Sequence, residues 1–387
     1  MDDAAEEGNQ MTGTDDAKDI PVKIIAYYVS DYGYGHASRS VAVIRALCQA
    51  GSGIKVIVCH AYALPFLAQS LSEQISTGQV QLRRLKNDVG YRLKLNSLEP
   101  DPFRLRKDVR AFIDDFSRLT DEEVRFLKES RAALVISDIP PVPFKAAAIA
   151  SVPSVGISNF TWYTAYEGLL SEEERQPLLE CYQQMDYFFA LAGSTEEAWG
   201  RKDNLSFGYF ARTKQSDEVK RIRAQAGADA GKTIVFFGLG MKLELARLAS
   251  LTIWDSPNCS FLVSSNINRE GDNIFHIPNS YSESQNHVAA SDLVISKPGW
   301  GIVAESVSFH KPLILATRNQ MREDRDTASF LSRQGLAEKV SWSDLPDLRI
   351  TGKRSGQWQV TARNDREASE SILARMVTAI YSILEDP

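Results

Sequence analysis

The sequence predicts two parallel α/β halves of similar size, facing each other across a cleft. Three observations carry this expectation. From Val22 onward, short apolar runs alternate with helical patterns, as parallel α/β layers require. The alternation breaks over residues 208–232, a polar stretch poor in large aliphatics, and starts afresh at Thr233. The chain also has 387 residues, whereas a single domain holds roughly 100–200.

In the first half, residues 24–29 and 54–59 read as buried strands, with residues 38–49 as the helix between them. Residues 103–127 place Val109, Phe112, Ile113 and Phe116 at helical spacing, which predicts one long amphipathic helix. Residues 133–137, 154–157 and 187–190 read as further strands. Past the break, with a helical piece near 217–226, strands are expected at 233–237, 261–263, 293–295 and 312–316. Helices are expected at 243–251, 302–308 and 324–333, and residues 368–384 close the chain as an amphipathic helix. A substrate cleft between two such halves is the default expectation.

Composition narrows the function classes. Hydrophobic residues at 43% and charged ones at 24% are ordinary for a globular chain and exclude collagen-like or mostly disordered sequences. No apolar run reaches the roughly 18 residues that span a bilayer. Residues 1–20 hold seven acids against one base, a surplus equal to the whole chain's net charge of −6. This stretch reads as a disordered acidic leader rather than a targeting peptide. The remaining body is neutral, which gives no support for general nucleic-acid binding. Cys48, Cys59, Cys181 and Cys259 form no C-x-x-C pair, which argues against zinc and against a disulfide framework. A reducing, cytoplasmic setting is expected.

Two glycine turns carry the chemistry. In the first, a strand runs into Gly33-Tyr34-Gly35 and then a helix. A third glycine, needed for a dinucleotide fingerprint, is absent, because Ser38 and Arg39 follow instead. The turn fixes His36 at its mouth, where an imidazole can act as a general base or merely cap the helix. Asp31 just before it can orient the ring or contact an acceptor, or serve as an ordinary turn aspartate. The second turn, Ser296-Lys297-Pro298-Gly299-Trp300-Gly301, repeats the geometry. Its amides and the Ser296 and Lys297 side chains suit a phosphate, and Glu305, a helical turn later, suits ribose hydroxyls. A solvent-facing helix acid is the plain alternative for Glu305. Gly238 and Gly240 form another strand-to-turn junction. A polar run, Asn319 to Asp326, enters a helix after the 312–316 strand. Its Asp324-Arg325-Asp326 is a three-residue D-x-D match at a helix start, so no metal site is expected there.

At these residues the sequence resembles a known group. Ser30-Asp-Tyr-Gly-Tyr-Gly-His-Ala-Ser-Arg39 resembles the G-x-G-H-x-x-R opening of a branch of GT-B glycosyltransferases. Together with Val135-Ile-Ser-Asp-Ile-Pro140 and Ser158-Asn-Phe-Thr-Trp162, it is similar to the transferase-like N-terminal domain of plant L-arabinokinases. The kinase chemistry of those proteins lies in a part this sequence does not match, so arabinokinase activity is not expected. The second half resembles the MurG-type N-acetylglucosaminyltransferases over Ile295 to Glu305.

The resemblance implies a GT-B fold, two facing Rossmann-like domains with an interdomain cleft. An acceptor domain would span 21–210 and a nucleotide-sugar domain 211–365, with a helix over 366–387 crossing back to the first. It implies a metal-independent, inverting transfer from a nucleoside diphosphate-sugar, most naturally a UDP-sugar. No cofactor is implied, because the nucleotide-sugar is a substrate. His36 would be the base, with Asp31 beside it. Gly238, Gly240, Ser296, Lys297, Gly299, Trp300, Gly301 and Glu305 would hold the nucleotide. Glu323 and Asp324 fall where the MurG-type enzymes have two glutamines that read the donor sugar, so the sugar is left open. Tyr34, Arg39, Asn159 and Trp162 would meet the acceptor, although Trp162 fits a core equally well. Residues 82–110 carry nine bases against four acids. They suit an anionic acceptor or a membrane surface, or form a solvated helix face. Two rivals stand beside the transferase: a nucleotide-sugar hydrolase or epimerase of the same fold, and a non-catalytic nucleotide-sugar sensor.

Overall fold

A computed structural model describes residues 22–51, 53–95, 97, 99–240, 246–318, 321–350 and 367–385. The acidic leader, residues 241–245 with the start of the expected 243–251 helix, Asn319, Gln320 and residues 351–366 lie outside the described residues.

The first half is a seven-stranded sheet made of β1 (Lys23–Val29), β2 (Ile54–His60), β3 (Val80–Arg84), β4 (Ala132–Asp138), β5 (Ser154–Ser158), β6 (Tyr187–Leu191) and β7 (Asp203–Phe207). The second is a six-stranded sheet of β8 (Thr233–Gly238), β9 (Cys259–Ser264), β10 (Ile274–Ile277), β11 (Leu293–Ser296), β12 (Leu313–Thr317) and β13 (Glu338–Ser341). Their orders are β3-β2-β1-β4-β5-β6-β7 and β10-β9-β8-β11-β12-β13. All neighbouring strands pair in parallel. Parallel strands need crossover helices on both faces, which is why the central strands are apolar throughout. In β1, Ile25, Tyr27 and Val29 pack into one core while Ala26 and Tyr28 pack into another on the opposite face.

The order of each sheet reverses beside its first strand, between β1 and β4 and between β8 and β11. Crossovers leave these points in opposite directions and open a crevice at the carboxyl ends of the strands. Both glycine turns of the sequence start at such points, after β1 and after β11.

The expected single helix over 103–127 is two helices, Pro102–Asp114 and Phe116–Glu129. At Asp115 the backbone tightens, its N–H bonding the Phe112 carbonyl three residues back at 3.2 Å. Its carboxylate also takes the Arg118 side chain, Nε to Oδ1 at 2.7 Å, the kind of local bond that makes aspartate a poor interior helix residue. In the expected 243–251 helix, the described part Ala246–Ser250 is a 3-10 turn. The closing helix, Ser369–Glu385, lies against the Tyr34–Ala50 helix of the first half, with the Tyr381 hydroxyl donating to the Leu47 carbonyl at 3.3 Å. Among the described residues no helix is long and apolar enough to cross a membrane.

Candidate active site

The first glycine turn builds a buried dyad. Gly33 has φ +88°, a conformation that side chains strain against, and it lets the chain turn from β1 straight into the Tyr34–Ala50 helix. His36 sits in the first turn of that helix and is buried. Its Nδ1 lies 3.1 Å from Oδ1 of Asp138, the last residue of β4. A carboxylate can only accept, so Nδ1 carries the proton and the lone pair is left on Nε2. Asp138 is held in turn by Arg39, whose Nε donates to Oδ2 at 2.7 Å and whose Nη2 donates to Oδ1, and by the Ser40 hydroxyl at 3.2 Å. Burial would raise the Asp138 carboxyl, but the Arg39 charge and the hydrogen bonds from Arg39 and His36 hold it down to about 2. Burial lowers the His36 pKa from its ordinary 6.5 despite Asp138. The ring is therefore neutral and basic at neutral pH.

Sequence reasoning missed Asp138. It lies within the Val135–Pro140 motif at the end of an apolar strand, and only its pairing opposite Val29 of β1 brings it under His36. The ring-orienting role expected of Asp31 is corrected accordingly. The Asp31 carboxylate instead gathers the backbone N–H groups of Ala61, Tyr62 and Asn87 at 2.7–3.0 Å and faces His60 Nδ1 at 3.2 Å. It therefore organises the loops behind the turn.

The residues expected at the acceptor divide. Tyr34 is exposed and lines the cleft beside the Tyr62 and Phe66 rings. Arg39 and Asn159 also line it, but they bond each other at 2.8 Å, and the Arg39 guanidinium is committed to Asp138. Trp162 does not line the cleft. It is 1% exposed, stacks on Tyr166 and donates to Asp88 at 2.9 Å, so it is core.

The second turn faces the first across the cleft. A Cβ added to Gly301 would stand 3.1 Å from Ser38 Oγ and 3.2 Å from the Gly35 carbonyl. The two glycine turns touch, and only glycine fits without displacement. Trp300 donates to the Ala192 carbonyl of the first half at 3.0 Å, and its ring lies 5.2 Å from the Arg39 guanidinium. Ser296 donates to the Gly238 carbonyl at 2.8 Å, tying the β11 and β8 turns together. Lys297 reaches over Gly240 and stands 5.8 Å from the Tyr32 ring. Glu305 is 5% exposed, and its Oε1 accepts from Arg212 Nη2 at 3.1 Å. Burial raises its carboxyl against the opposing Arg212 charge.

Glu323 shares a hydrogen bond with the Tyr91 hydroxyl of the first half, and burial followed by the Asp324 charge raises its carboxyl. Asp324 is buried and paired with Arg318. Asp326 accepts from Thr195 at 2.7 Å. Among the described residues no group of three or more His, Cys, Asp or Glu side chains could hold a metal ion. The bases of 82–110 mostly face acids: Arg83 pairs with Glu123, Arg92 with Asp108, Lys94 with Glu99, and both Arg106 and Arg110 with Glu174.

His36, Gly238, Gly240, Ser296, Lys297, Gly299, Gly301, Glu305, Glu323 and Asp324 thus line one cleft of about 1050 Å³ between the two sheets. Arg318 and Tyr91, which the sequence did not single out, line it too.

No protein-family model matches the chain. It is similar to L-arabinokinase of Arabidopsis thaliana, 25% identical over 308 residues, which is 78% of this chain and 29% of that protein. The chain thus spans less than a third of that relative. Among solved structures it is similar to UGT89C1 of Arabidopsis thaliana complexed with UDP, with a TM-score of 0.60, 12% identity and coverage of 94% and 98% of the two chains. The glycosyltransferase SnogD of Streptomyces nogalater gives 0.56 and 13%, covering 94% and 96%. A putative UDP-N-acetylglucosamine 2-epimerase of Listeria monocytogenes gives 0.60 and 12%, covering 95% and 97%. Likeness of this kind, over nearly the whole length and at low identity, is a likeness of architecture: the chain has the GT-B fold, two Rossmann-like domains facing each other across a cleft.

Proposed function

We propose that this protein is a glycosyltransferase that moves a sugar from a nucleoside diphosphate-sugar, a UDP-sugar, to an acceptor hydroxyl or amine, with His36 as general base. The observation that carries the reading is the His36–Asp138 dyad, facing a second glycine turn and Glu305 across one cleft. In this reading the second half holds the donor. Glu305 accepts from the ribose, and the diphosphate lies against the N-terminus of the Trp300–Ser308 helix and Lys297. As the acceptor oxygen attacks the anomeric carbon, its proton passes to His36 Nε2, the new C–O bond forms and the bond to the diphosphate breaks. The UDP leaves with the electron pair. Attack opposite the leaving group inverts the anomeric centre. Helix amides and Lys297 stabilise the charge that develops on the diphosphate, without a metal. Asp138 keeps the base in the correct tautomer and stabilises the imidazolium.

The similarity to an epimerase sustains one rival, in which the same cleft rearranges or hydrolyses the nucleotide-sugar without an acceptor. A panel of UDP-, GDP-, dTDP- and ADP-sugars, assayed with chelator for nucleoside diphosphate release and thermal shift, tests the reading. The expected result is a shift with a UDP-sugar and a release that stays slow until an acceptor alcohol or amine is added, whereas fast release that no acceptor accelerates establishes a hydrolase. No shift with any donor contradicts it, and a C2-epimerised nucleotide-sugar as product establishes the rival.

A further inference from the structure

Arg212 lies between β7 and the Ser216–Gln225 helix, in the segment that joins the two sheets. Connecting segments normally run exposed over the surface, yet Arg212 is 2% exposed. Its guanidinium makes three bonds. Nη1 donates to the Ser282 carbonyl at 2.6 Å, and Nη2 donates to Glu305 Oε1 at 3.1 Å and to Ser284 Oγ at 3.2 Å. Glu283 follows on the same loop, with Oε1 3.9 Å from Arg212 Nη1. That carboxylate receives both Nη groups of Arg45, from the Tyr34–Ala50 helix, at 2.9 and 3.0 Å. The Phe66 ring of the first half closes the group, 5.5 Å from the Arg212 guanidinium.

Glu305 is the acid proposed to meet the donor ribose, and the charges facing it are Arg212, Glu283 and, beyond Glu283, Arg45. Arg212 occupies Oε1 only. Among the described residues Oε2 has no hydrogen-bond donor, and Glu305 lines the cleft. A buried carboxyl with no cation beside it takes up a proton and loses acceptor capacity. A cation anchored at Ser282 and Ser284 instead keeps the carboxylate charged and holds its Oε1 through one hydrogen bond.

We propose that Arg212 is a positioning residue for the donor: it fixes the Glu305 carboxylate through Oε1 and so presents Oε2 to the ribose hydroxyls. The inference rests on the donor-site reading above. It also makes the segment between the two halves a working part of the ribose pocket, with Glu283 and Arg45 tying that pocket to the acceptor half.

The probes are UDP and 2′,3′-dideoxy-UDP, whose Kd values are measured by calorimetry with the full chain. A site built to bond hydroxyls rejects an analogue lacking them, so wild type is expected to prefer UDP by about tenfold or more. In Arg212→Met the preference falls to about twofold or less, because the acceptor at Glu305 is lost. Arg212→Lys, which keeps a cation beside Glu305, retains most of the preference. In a Glu305→Gln background the Arg212→Met change leaves UDP affinity unaltered within about twofold.

A Met variant that binds both ligands more weakly but keeps the wild-type preference overturns the proposal, since the arginine would then act on the linker alone. An Arg212→Lys variant that loses the preference completely while folded overturns it as well. So does a further loss of affinity in the Gln background. If Arg212→Met does not fold, the Lys variant and the Glu305→Gln comparison with Arg212→Lys decide the question by the same criteria. Failure of the donor reading looks different: wild type itself binds no UDP.

Discussion

Asp138→Asn separates the dyad from the fold around it. The change keeps the shape but offers the His36 Nδ1–H and the Arg39 fork a neutral amide in place of a carboxylate. Without the carboxylate, the tautomer with its lone pair on Nε2 is no longer enforced. General acid–base catalysis contributes about 10²–10⁴ in rate, and kcat is expected to fall by about 10²–10³ with the KM for donor little changed. Stability falls too, and two figures bracket the cost. The folded carboxyl titrates at about 2 against an ordinary 3.8, a difference worth about 2 kcal/mol at neutral pH. Removing one partner of a buried ion pair costs about 3–5 kcal/mol, because the Arg39 charge is left behind. For a domain of this size that lowers Tm by about 5–15 °C. Because the carboxyl is depressed, this stabilisation is complete above about pH 4 and is lost as the pH falls toward 2. The gap between wild type and variant should close over that window. The assay is donor-saturated UDP release at a temperature where circular dichroism shows the variant folded. A folded Asp138→Asn enzyme with kcat within about threefold of wild type would refute the claim that Asp138 sets the base.

Other consequences follow from the same geometry. Because burial lowers the His36 pKa from 6.5 and the proposed mechanism uses the neutral ring, kcat should be flat through neutral pH and decline only below it. A profile rising with a midpoint above 7 contradicts this. Gly301→Ala inserts a methyl 3.1 Å from Ser38 Oγ, forcing the two turns apart. A drop in kcat of about tenfold or more is expected with little change in Tm, and unchanged kinetics would mean the turns do not need to meet. Trp162→Phe removes the bond to Asp88 from a packed aromatic core. It should lower stability by about 1–3 kcal/mol while leaving the acceptor KM unchanged, whereas an acceptor-specific KM effect would return Trp162 to the site.

Much of the fold was legible because parallel central strands are buried on both faces and read as apolar runs. β1, β4, β5 and β8 fall close to their expected bounds. The edge strands were not legible. Val-Gln-Leu-Arg-Arg in β3 and Glu-Lys-Val-Ser in β13 face solvent on much of their surface and lack the apolar signature. The glycine turns were visible because a tight strand-to-helix turn demands that residue locally. The partners of the turns were not, because they come from afar: Asp138 is 102 residues from His36, and Arg212 is 93 from Glu305. Arg212 also sits in a stretch whose polarity reads only as a linker. Trp162 belongs to the core rather than the acceptor site because a large aromatic near a ligand motif suits either place, and only its contacts decide between them.

The central claim is that His36 supplies chemistry rather than binding. Its most direct test compares wild type and His36→Ala on the UDP-sugar that gives the largest thermal shift, measuring both UDP affinity and the rate of UDP release. Affinity should stay within about threefold while release slows by about 10²-fold or more. Equal release by the two proteins, with binding intact, would contradict the role assigned to His36.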